Sequence, residues 1–309
     1  MTTTFLSPAA LSTSQIDAVI TMALTEDAPF GDLTTQAFVP AGAGAVASLI
    51  ARQAGVLSGA EVFSRAMRAL DSGVVVTLHC ADGERFEAGQ SLAQVSGPAR
   101  AVLTCERVAL NLIQRMSGIA TVTARYVEAV EGAQSAAGRP VRVVDTRKTT
   151  PGLRALERYA VRCGGGHNHR FSLSDAVMAK DNHLAALESG GIGLAEAIRQ
   201  ARQRLPHTTH IEVEVDRLDQ VPAALEGGAD TIMLDNFSLE DIRRGVELIG
   251  GRALVEASGN VRLETVAEIA ATGVDVISVG ALTHSVRSLD LGLDMDVRAE
   301  ASHGGGGAN

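Results

Sequence analysis

Ile211-Glu212-Val213-Glu214-Val215 decides the fold when it is read with the runs that follow at even intervals: Thr231–Asp235, Ala253–Glu256 and Val274–Gly280. Each run is short and rich in aliphatic or β-branched residues. Each ends in or beside a polar or small residue, and a helical pattern then sets in. Glu214 to Asp235 is 21 residues, Asp235 to Ser258 is 23 and Ser258 to Gly280 is 22. A strand, a crossover helix and two loops need roughly this length, because parallel strands require connections of about a dozen residues or more. Val141–Asp145 and Ala176–Lys180 read as earlier strands of the same series. Repeated βα units imply a parallel sheet. Even spacing, with polar residues at the C-terminal strand ends, favours a closed α/β barrel, whose chemistry gathers at that end.

The alternation inside Ile211–Val215 sharpens this reading. A parallel strand buried on both faces should be continuously apolar, yet Glu212 and Glu214 share one side of this one. In a barrel the apolar residues would face the surrounding helices and the carboxylates the axis, where they are costly unless paired or used. A solvent-exposed antiparallel strand is the alternative, and the regular βα units on either side count against it.

Upstream the pattern changes. Gln15–Leu24 reads as a short amphipathic helix and Glu26–Thr35 as a turn-rich polar loop. Ser48–Gly55, Val74–Cys80 and Gln90–Val95 read as strands, with a helix over Gly59–Leu70. This predicts an N-terminal α+β domain over residues 1–118 and a barrel over 119–285. Residues 286–300 are expected to return to the first domain, and 301–309, with four consecutive glycines, to be a disordered tail. A long helix over Thr104–Val130 joins the two, carrying Arg107 near its start and interrupted at Gly118.

Composition narrows the function classes. A net charge of −9 argues against nucleic-acid or anionic-membrane partners. No apolar run approaches the roughly 18 residues of a membrane span. The start MTTTFLSPAALSTS lacks the basic and apolar segments of a signal peptide. Cys80, Cys105 and Cys163 are odd in number without CxxC spacing, so they read as free thiols in a reducing, cytoplasmic setting. With no Trp and 3% aromatics, the core must be built from Ala, Val, Leu and Ile.

Only two of the 27 basic residues are lysines, Lys148 and Lys180. Where Arg serves for every generic charge, a surviving Lys marks a place for a compact ammonium. Both lie in one dense polar stretch: Asp145-Thr146-Arg147-Lys148, then Gly164-Gly165-Gly166-His167-Asn168-His169-Arg170, then Lys180-Asp181-Asn182-His183. A basic loop between a strand and a helix start is a ready anion site. Several cations facing one cavity imply a substrate with several negative charges. Glu214 and Asp235 fit as oxygen ligands for Mg²⁺, direct or through water, or as partners of sugar hydroxyls. Ser258-Gly259-Asn260 and Ser278-Val279-Gly280 close the last strands, where such barrels frequently bind phosphate. His167-Asn168-His169 raises a metal hypothesis, but His207 and His210 precede a strand, so no His-rich shell assembles. Lys180 also suits a Schiff-base aldolase, although the arginines around it favour an anion.

These segments resemble the quinolinate phosphoribosyltransferase family. The resemblance is carried by EDAPFGDLTT, ERVALNLIQRMSGIAT, VVDTRKTTPGLRALERYAVRCGGGHNHR, AKDNH, IEVEV, MLDN, EASGN and SVGALTHS, in order along nearly the whole chain. It implies an N-terminal open α/β sandwich and an incomplete, seven-stranded α/β barrel. It further implies dimers in which one N-terminal domain caps the partner's barrel, with hexamers in some members. The activity it implies joins quinolinate to phosphoribosyl pyrophosphate in NAD biosynthesis, giving nicotinate mononucleotide, pyrophosphate and CO₂. On this resemblance Arg107 reaches the neighbouring subunit's site to bind quinolinate, and Arg147, His169, Arg170 and Lys180 hold the same dicarboxylate. Thr146 lines that pocket and Lys148 contacts the diphosphate. Glu214 and Asp235 hold the ribose hydroxyls and the Mg²⁺ environment. Ser258, Gly259, Asn260 and Ser278–Gly280, Val279 included, hold the 5′-phosphate. A related enzyme acting on a nicotinate-like base, or the molybdenum-associated homologue, is the nearest rival.

Overall fold

The computed structural model describes residues 10–180, 182–183, 186 and 190–298. The expected tail over 301–309 and the start of the chain lie outside them. The N-terminal elements are helices α1 (Thr13–Asp27) and α2 (Leu33–Phe38), strands β1 (Gly44–Ala51) and β2 (Gly55–Val56), and helix α3 (Ala60–Met67). Strands β3 (Val75–Leu78), β4 (Arg85–Phe86) and β5 (Ser91–Pro98) and the 31-residue helix α4 (Ala99–Ala129) follow. Next come β6 (Arg142–Val144), helix α5 (Arg154–Cys163), β7 (Val177–Ala179), β8 (Ile211–Val215), β9 (Thr231–Asp235), β10 (Leu254–Ser258), β11 (Val276–Ser278) and β12 (Leu291–Arg298). Helices Leu194–Arg204, Val221–Gly227, Leu239–Ile249 and Val266–Ala270 separate the later strands.

The contacts divide the chain into two compact units. One comprises residues up to Thr121, Pro151–Gly164 and the residues from Val286 on; the other comprises Val122–Thr150 and Gly165–Ser285. Residues 151–164, read from sequence as part of the barrel, belong with the first unit. Two pairings tie them there: Tyr159 Oη donates to Asp82 at 2.8 Å, and Arg115 pairs at 2.6 Å with the buried Glu157.

In the first unit four antiparallel strands run in the order β12-β1-β5-β3. The C-terminal strand β12 pairs along the whole of β1, from Gly44 opposite Arg298 to Ala51 opposite Leu291. Helix α1 starts at a capping box: the Ser12 hydroxyl accepts from the Gln15 amide at 3.2 Å, and the Gln15 side chain accepts from the Ser12 amide at 3.3 Å. Ile16, Val19 and Ile20, at i, i+3 and i+4, are its buried face. Glu26–Thr35, turn-rich in sequence, is not all loop: α2 begins within it. The turn-like Asp32 is an N-cap whose carboxylate accepts from the Thr35 amide at 3.0 Å. Nor does Gly118 interrupt α4, which runs through it. A Cβ at Gly118 would sit 2.3 Å from the Arg287 carbonyl oxygen, so the glycine admits the returning chain. Among the described residues, no helix is long and apolar enough to cross a membrane.

In the second unit six parallel strands run in the order β6-β11-β10-β9-β8-β7. A seventh stave is reduced to one residue: His167 bridges in parallel to Val144, donating to Val143 O at 2.8 Å and accepting from the Asp145 amide at 3.1 Å. It extends no further because the amide of His169 is taken by the Asp145 carboxylate at 2.8 Å instead of by a strand. At the N-terminal strand ends, carboxylates tie neighbouring staves together. Asp230 accepts from the Ile211 amide and from Arg202, each at 2.7 Å. Asp275 accepts from the Val255 amide at 3.0 Å and from Arg139 at 2.8 Å.

Gly118→Ala is predicted to destabilise the protein. The helix-propensity gain is about 1 kcal/mol, whereas forcing a methyl against a backbone oxygen costs roughly 1–3 kcal/mol, and the neighbour here is backbone that cannot swing away. Thermal melting checks this; a variant as stable as its parent would remove close approach as the reason for Gly118.

Candidate active site

The C-terminal ends of β6 to β11 place most of the expected residues on one rim. Asp145, Thr146, Arg147 and Lys148 follow β6, Lys180 follows β7, and Glu212 and Glu214 lie in β8. Asp235 ends β9, Ser258 ends β10 with Gly259 and Asn260 beyond, and Ser278 ends β11 with Val279 and Gly280 beyond. Parallel register sets the heights: Asp235 is opposite Ser258, and Ser278 is opposite Val144. Arg107 lies on α4 in the first unit, where it is exposed.

The basic residues are held in different ways. Lys180 Nζ pairs with Glu214 Oε2 at 2.5 Å across neighbouring strands. Its ammonium thus has a carboxylate partner and not the apolar pocket of a Schiff-base lysine. Lys148 is fixed through its backbone: its amide donates to Thr146 Oγ1 at 3.1 Å, and its carbonyl accepts from the buried Thr283 hydroxyl at 2.7 Å. A Cβ at Gly280 would lie 3.2 Å from Lys148 Cδ, so that glycine clears the lysine stem. Arg147 Nε is buried without a hydrogen-bond partner. Arg170 donates to Ala176 O at 3.1 Å; burial, then the charge of Arg147, push its guanidinium below the ordinary range. Two crowded guanidiniums with an unused buried N–H are an arrangement that an anion relieves.

The phosphate-loop residues are shaped by Asn236, which sequence reading passed over. Asn236 and Asn260 adopt left-handed backbones, φ 60° and 48°. The Asn236 side chain donates to Asp235 at 2.7 Å and accepts from Asn260 at 3.1 Å, linking the ends of β9 and β10. A Cβ at Gly259 (φ +93°) would meet Asn236 Oδ1 at 2.2 Å. Val279 is buried and its amide donates to Val144 O at 2.9 Å, so that amide is unavailable to a phosphate.

Beneath this rim lies a cluster that the sequence did not announce. Asp145 is fully buried and accepts from Asn168 Nδ2 at 2.6 Å and from the His169 amide at 2.8 Å. His169 Nε2 sits 3.1 Å from Glu212 Oε2 and 3.4 Å from Glu256 Oε2. These three ligating atoms lie within 4.8 Å of one another, close enough for a metal ion as well as for hydrogen bonds. Burial alone would lower the imidazole, but the two glutamates reverse this and hold it up at about 10. Burial raises Glu212, against its hydrogen bond from His169. The Arg170 amide donates to His169 Nδ1 at 2.7 Å. Accepting that bond requires Nδ1 without a proton, so it competes with the charged imidazolium that the two glutamates favour. The alternation in β8 was a usable signal for Glu212. Nothing in an apolar run ending in Glu256 distinguished it from a surface carboxylate.

Known proteins share this sequence and fold. The model of the quinolinate phosphoribosyl transferase C-terminal domain matches residues 119–294, and that of the N-terminal domain residues 32–117. Nicotinate-nucleotide pyrophosphorylase (carboxylating) of Mycobacterium leprae is 46% identical, over 92% of this chain and 100% of that protein. Quinolinate phosphoribosyltransferase (decarboxylating) 2, mitochondrial, of Nicotiana glauca is 38% identical, over 94% of this chain and 84% of that protein. The crystal structure of NadC from Streptococcus pyogenes superposes with a TM-score of 0.87 at 43% identity, covering 94% of this chain and 100% of that one. With both domain models matched and relatives of this identity along nearly its full length, the chain belongs to the quinolinate phosphoribosyltransferase family.

Proposed function

We propose that this protein transfers the phosphoribosyl group of phosphoribosyl pyrophosphate to quinolinate with decarboxylation, giving nicotinate mononucleotide, pyrophosphate and CO₂ for NAD biosynthesis. The observation that carries the substrate class is the crowding of Arg147 and Arg170, with a buried guanidinium N–H left unused. A planar dicarboxylate supplies an acceptor for the buried Arg147 Nε–H and negative charge for the crowded pair. Arg147, Arg170 and Lys180 hold quinolinate, with Thr146 beside them and His169 behind.

The pyridine nitrogen attacks C1′ as the bond from C1′ to pyrophosphate breaks, and the electron pair leaves with pyrophosphate. No protein nucleophile is required. Lys148, its backbone pinned by Thr283, stabilises charge developing on the leaving group. The ring nitrogen is then cationic. Loss of the 2-carboxylate as CO₂ leaves an electron pair on the adjacent carbon, stabilised by that charge until a proton is taken up. Ser258, Gly259, Asn260, Ser278 and Gly280 receive the 5′-phosphate, with bare glycine backbone at two positions. Glu214 and Asp235 suit Mg²⁺: both are half-buried, and each has one oxygen occupied, by Lys180 and by Asn236 respectively. When bound there the ion would neutralise charge on the diphosphate and ribose oxygens. The protein's own contribution is mainly positioning and charge compensation.

We also propose a homodimer with shared sites, in which Arg107 reaches the partner's quinolinate. Exposed Phe30 (95%), Leu33 (78%) and Phe38 (83%), on and beside α2, support a covered surface in the first unit.

Product formation is expected to require quinolinate, phosphoribosyl pyrophosphate and Mg²⁺ together, measured as nicotinate mononucleotide and CO₂. Product from nicotinate but not quinolinate would overturn the dicarboxylate assignment. Lys148→Ala should lower kcat roughly 100-fold, the scale of losing one transition-state charge contact, with an unchanged melting curve; normal turnover would sink its role. Arg107→Ala and Lys180→Ala proteins should each be weak. Mixed with verified subunit exchange they should recover up to about a quarter of wild-type activity, since half the dimers are mixed and each holds one intact site of two. No recovery would exclude a site shared between subunits.

A further inference from the structure

We propose that Glu212 and Glu256 are positioning residues for this reaction: they hold His169 by Nε2 and, through its ring, fix Arg170 for the quinolinate carboxylates. The inference rests on the quinolinate reading above and adds to it two carboxylates that touch no substrate.

The two glutamates project from β8 and β10, which flank β9, so alternate staves deliver them to one layer of the interior. They are 4% and 3% exposed, and in each the second oxygen, Oε1, has no hydrogen-bond partner. Two such carboxylates are expensive to bury. Strand pairing does not need them, because backbone ladders and apolar neighbours already set the register of β8, β9 and β10. The group they converge on is His169 Nε2, at 3.1 and 3.4 Å.

From the ring the chain of contacts runs outward. The Arg170 amide donates to Nδ1 at 2.7 Å, and the Arg170 guanidinium donates to Ala176 O at 3.1 Å, so Arg170 is held at its backbone and at its head. Asp145 fixes the same turn from the other side through the His169 amide and Asn168. Both ring nitrogens therefore have protein partners in this arrangement. His169 acts on the substrate by placing Arg170 opposite Arg147. Glu212 also offsets the charge of Arg170, helping two guanidiniums stand together before substrate arrives.

The test is a double-mutant cycle with Glu256→Gln, Glu212→Gln and His169→Gln. The glutamine variants keep shape while removing charge. In Glu256→Gln the KM for quinolinate is expected to rise about tenfold, while the KM for phosphoribosyl pyrophosphate stays within about twofold and the melting curve is unchanged. In a His169→Gln background, Glu256→Gln should add less than about twofold, because the route through the ring is already lost. Equal shifts in both KM values, no shift in either, or effects that multiply with His169→Gln would overturn the proposal. So would a stoichiometric zinc or manganese ion in the purified protein that Glu256→Gln removes, since the cluster would then be a metal site. Should Glu256→Gln fail to fold, Glu212→Gln, which leaves Glu256 on the ring, carries the same expectations. Wild-type protein that does not turn over quinolinate would instead sink the substrate reading; the cycle would then be scored on nicotinate.

Discussion

The mouth of the barrel depends on one carboxylate with no exposure to solvent. Asp145 directly follows β6, at the edge of the sheet where, among the described residues, the next stave is the one-residue bridge from Val144 to His167. By accepting from Asn168 and from the His169 amide it replaces the strand pairing that a full seventh stave would provide. A buried carboxylate costs several kcal/mol unless its oxygens are used, and here both are. The exchange has a structural consequence: a ladder would have continued His169 and Arg170 along the sheet, whereas the side-chain clamp turns them over the interior. The site exists because the barrel is incomplete there.

Carboxylates elsewhere divide by strand end. Asp230 and Asp275 lie before β9 and β11 and bind backbone amides of the neighbouring staves, with Arg202 and Arg139 balancing their charge. They stabilise. Glu214 and Asp235 lie toward the opposite ends, half-buried, and pair with the side chains of Lys180 and Asn236 instead of with backbone amides. In parallel barrels the N-terminal face belongs to stability and the C-terminal face to chemistry. Asp230 and Asp275 fit the first half of that division, and Asp145, a backbone clamp at a C-terminal strand end, departs from it.

Much of the barrel was legible before any coordinates. Ile211–Val215 and Thr231–Asp235 are strands over the residues that periodicity marked, because nothing but a buried sheet explains such runs at such intervals. Lys148, Lys180, Glu214 and Asp235 read as rim residues because each lies at or just beyond the C-terminal end of a strand in the series. What could not be read depends on partners distant in sequence. Gly118 looks like a helix breaker until the Arg287 carbonyl is placed against it. Asp32 looks like a turn residue until the α2 amides are placed above it. A carboxylate at a strand end reads the same whether it binds a backbone amide, as Asp145 does, or stays available, as Asp235 does. The partners of His169 are likewise distant on paper: Glu212 and Glu256 stand 43 and 87 residues further on, yet both reach its Nε2.

The choice of arginine or lysine at this rim follows from ligand shape. Arg147 and Arg170 present planar forks, which match a planar ring bearing two carboxylates and retain their charge while crowded. A lysine pair in their place would shed a proton more readily and would not fix the plane of the ring. The two lysines stand where a fork has less to offer. Lys180 balances Glu214 across adjacent strands, so the neighbouring carboxylate is held without a bidentate partner competing for both its oxygens. Lys148 extends from a backbone anchored by Thr283 along the cleared space at Gly280. A compact ammonium on a flexible stem can follow a diphosphate as it leaves, which a rigid fork cannot. On the proposed reaction, the placing of the two lysines matches the two halves of the site: rigid recognition of a dicarboxylate beside mobile neutralisation of a departing polyanion.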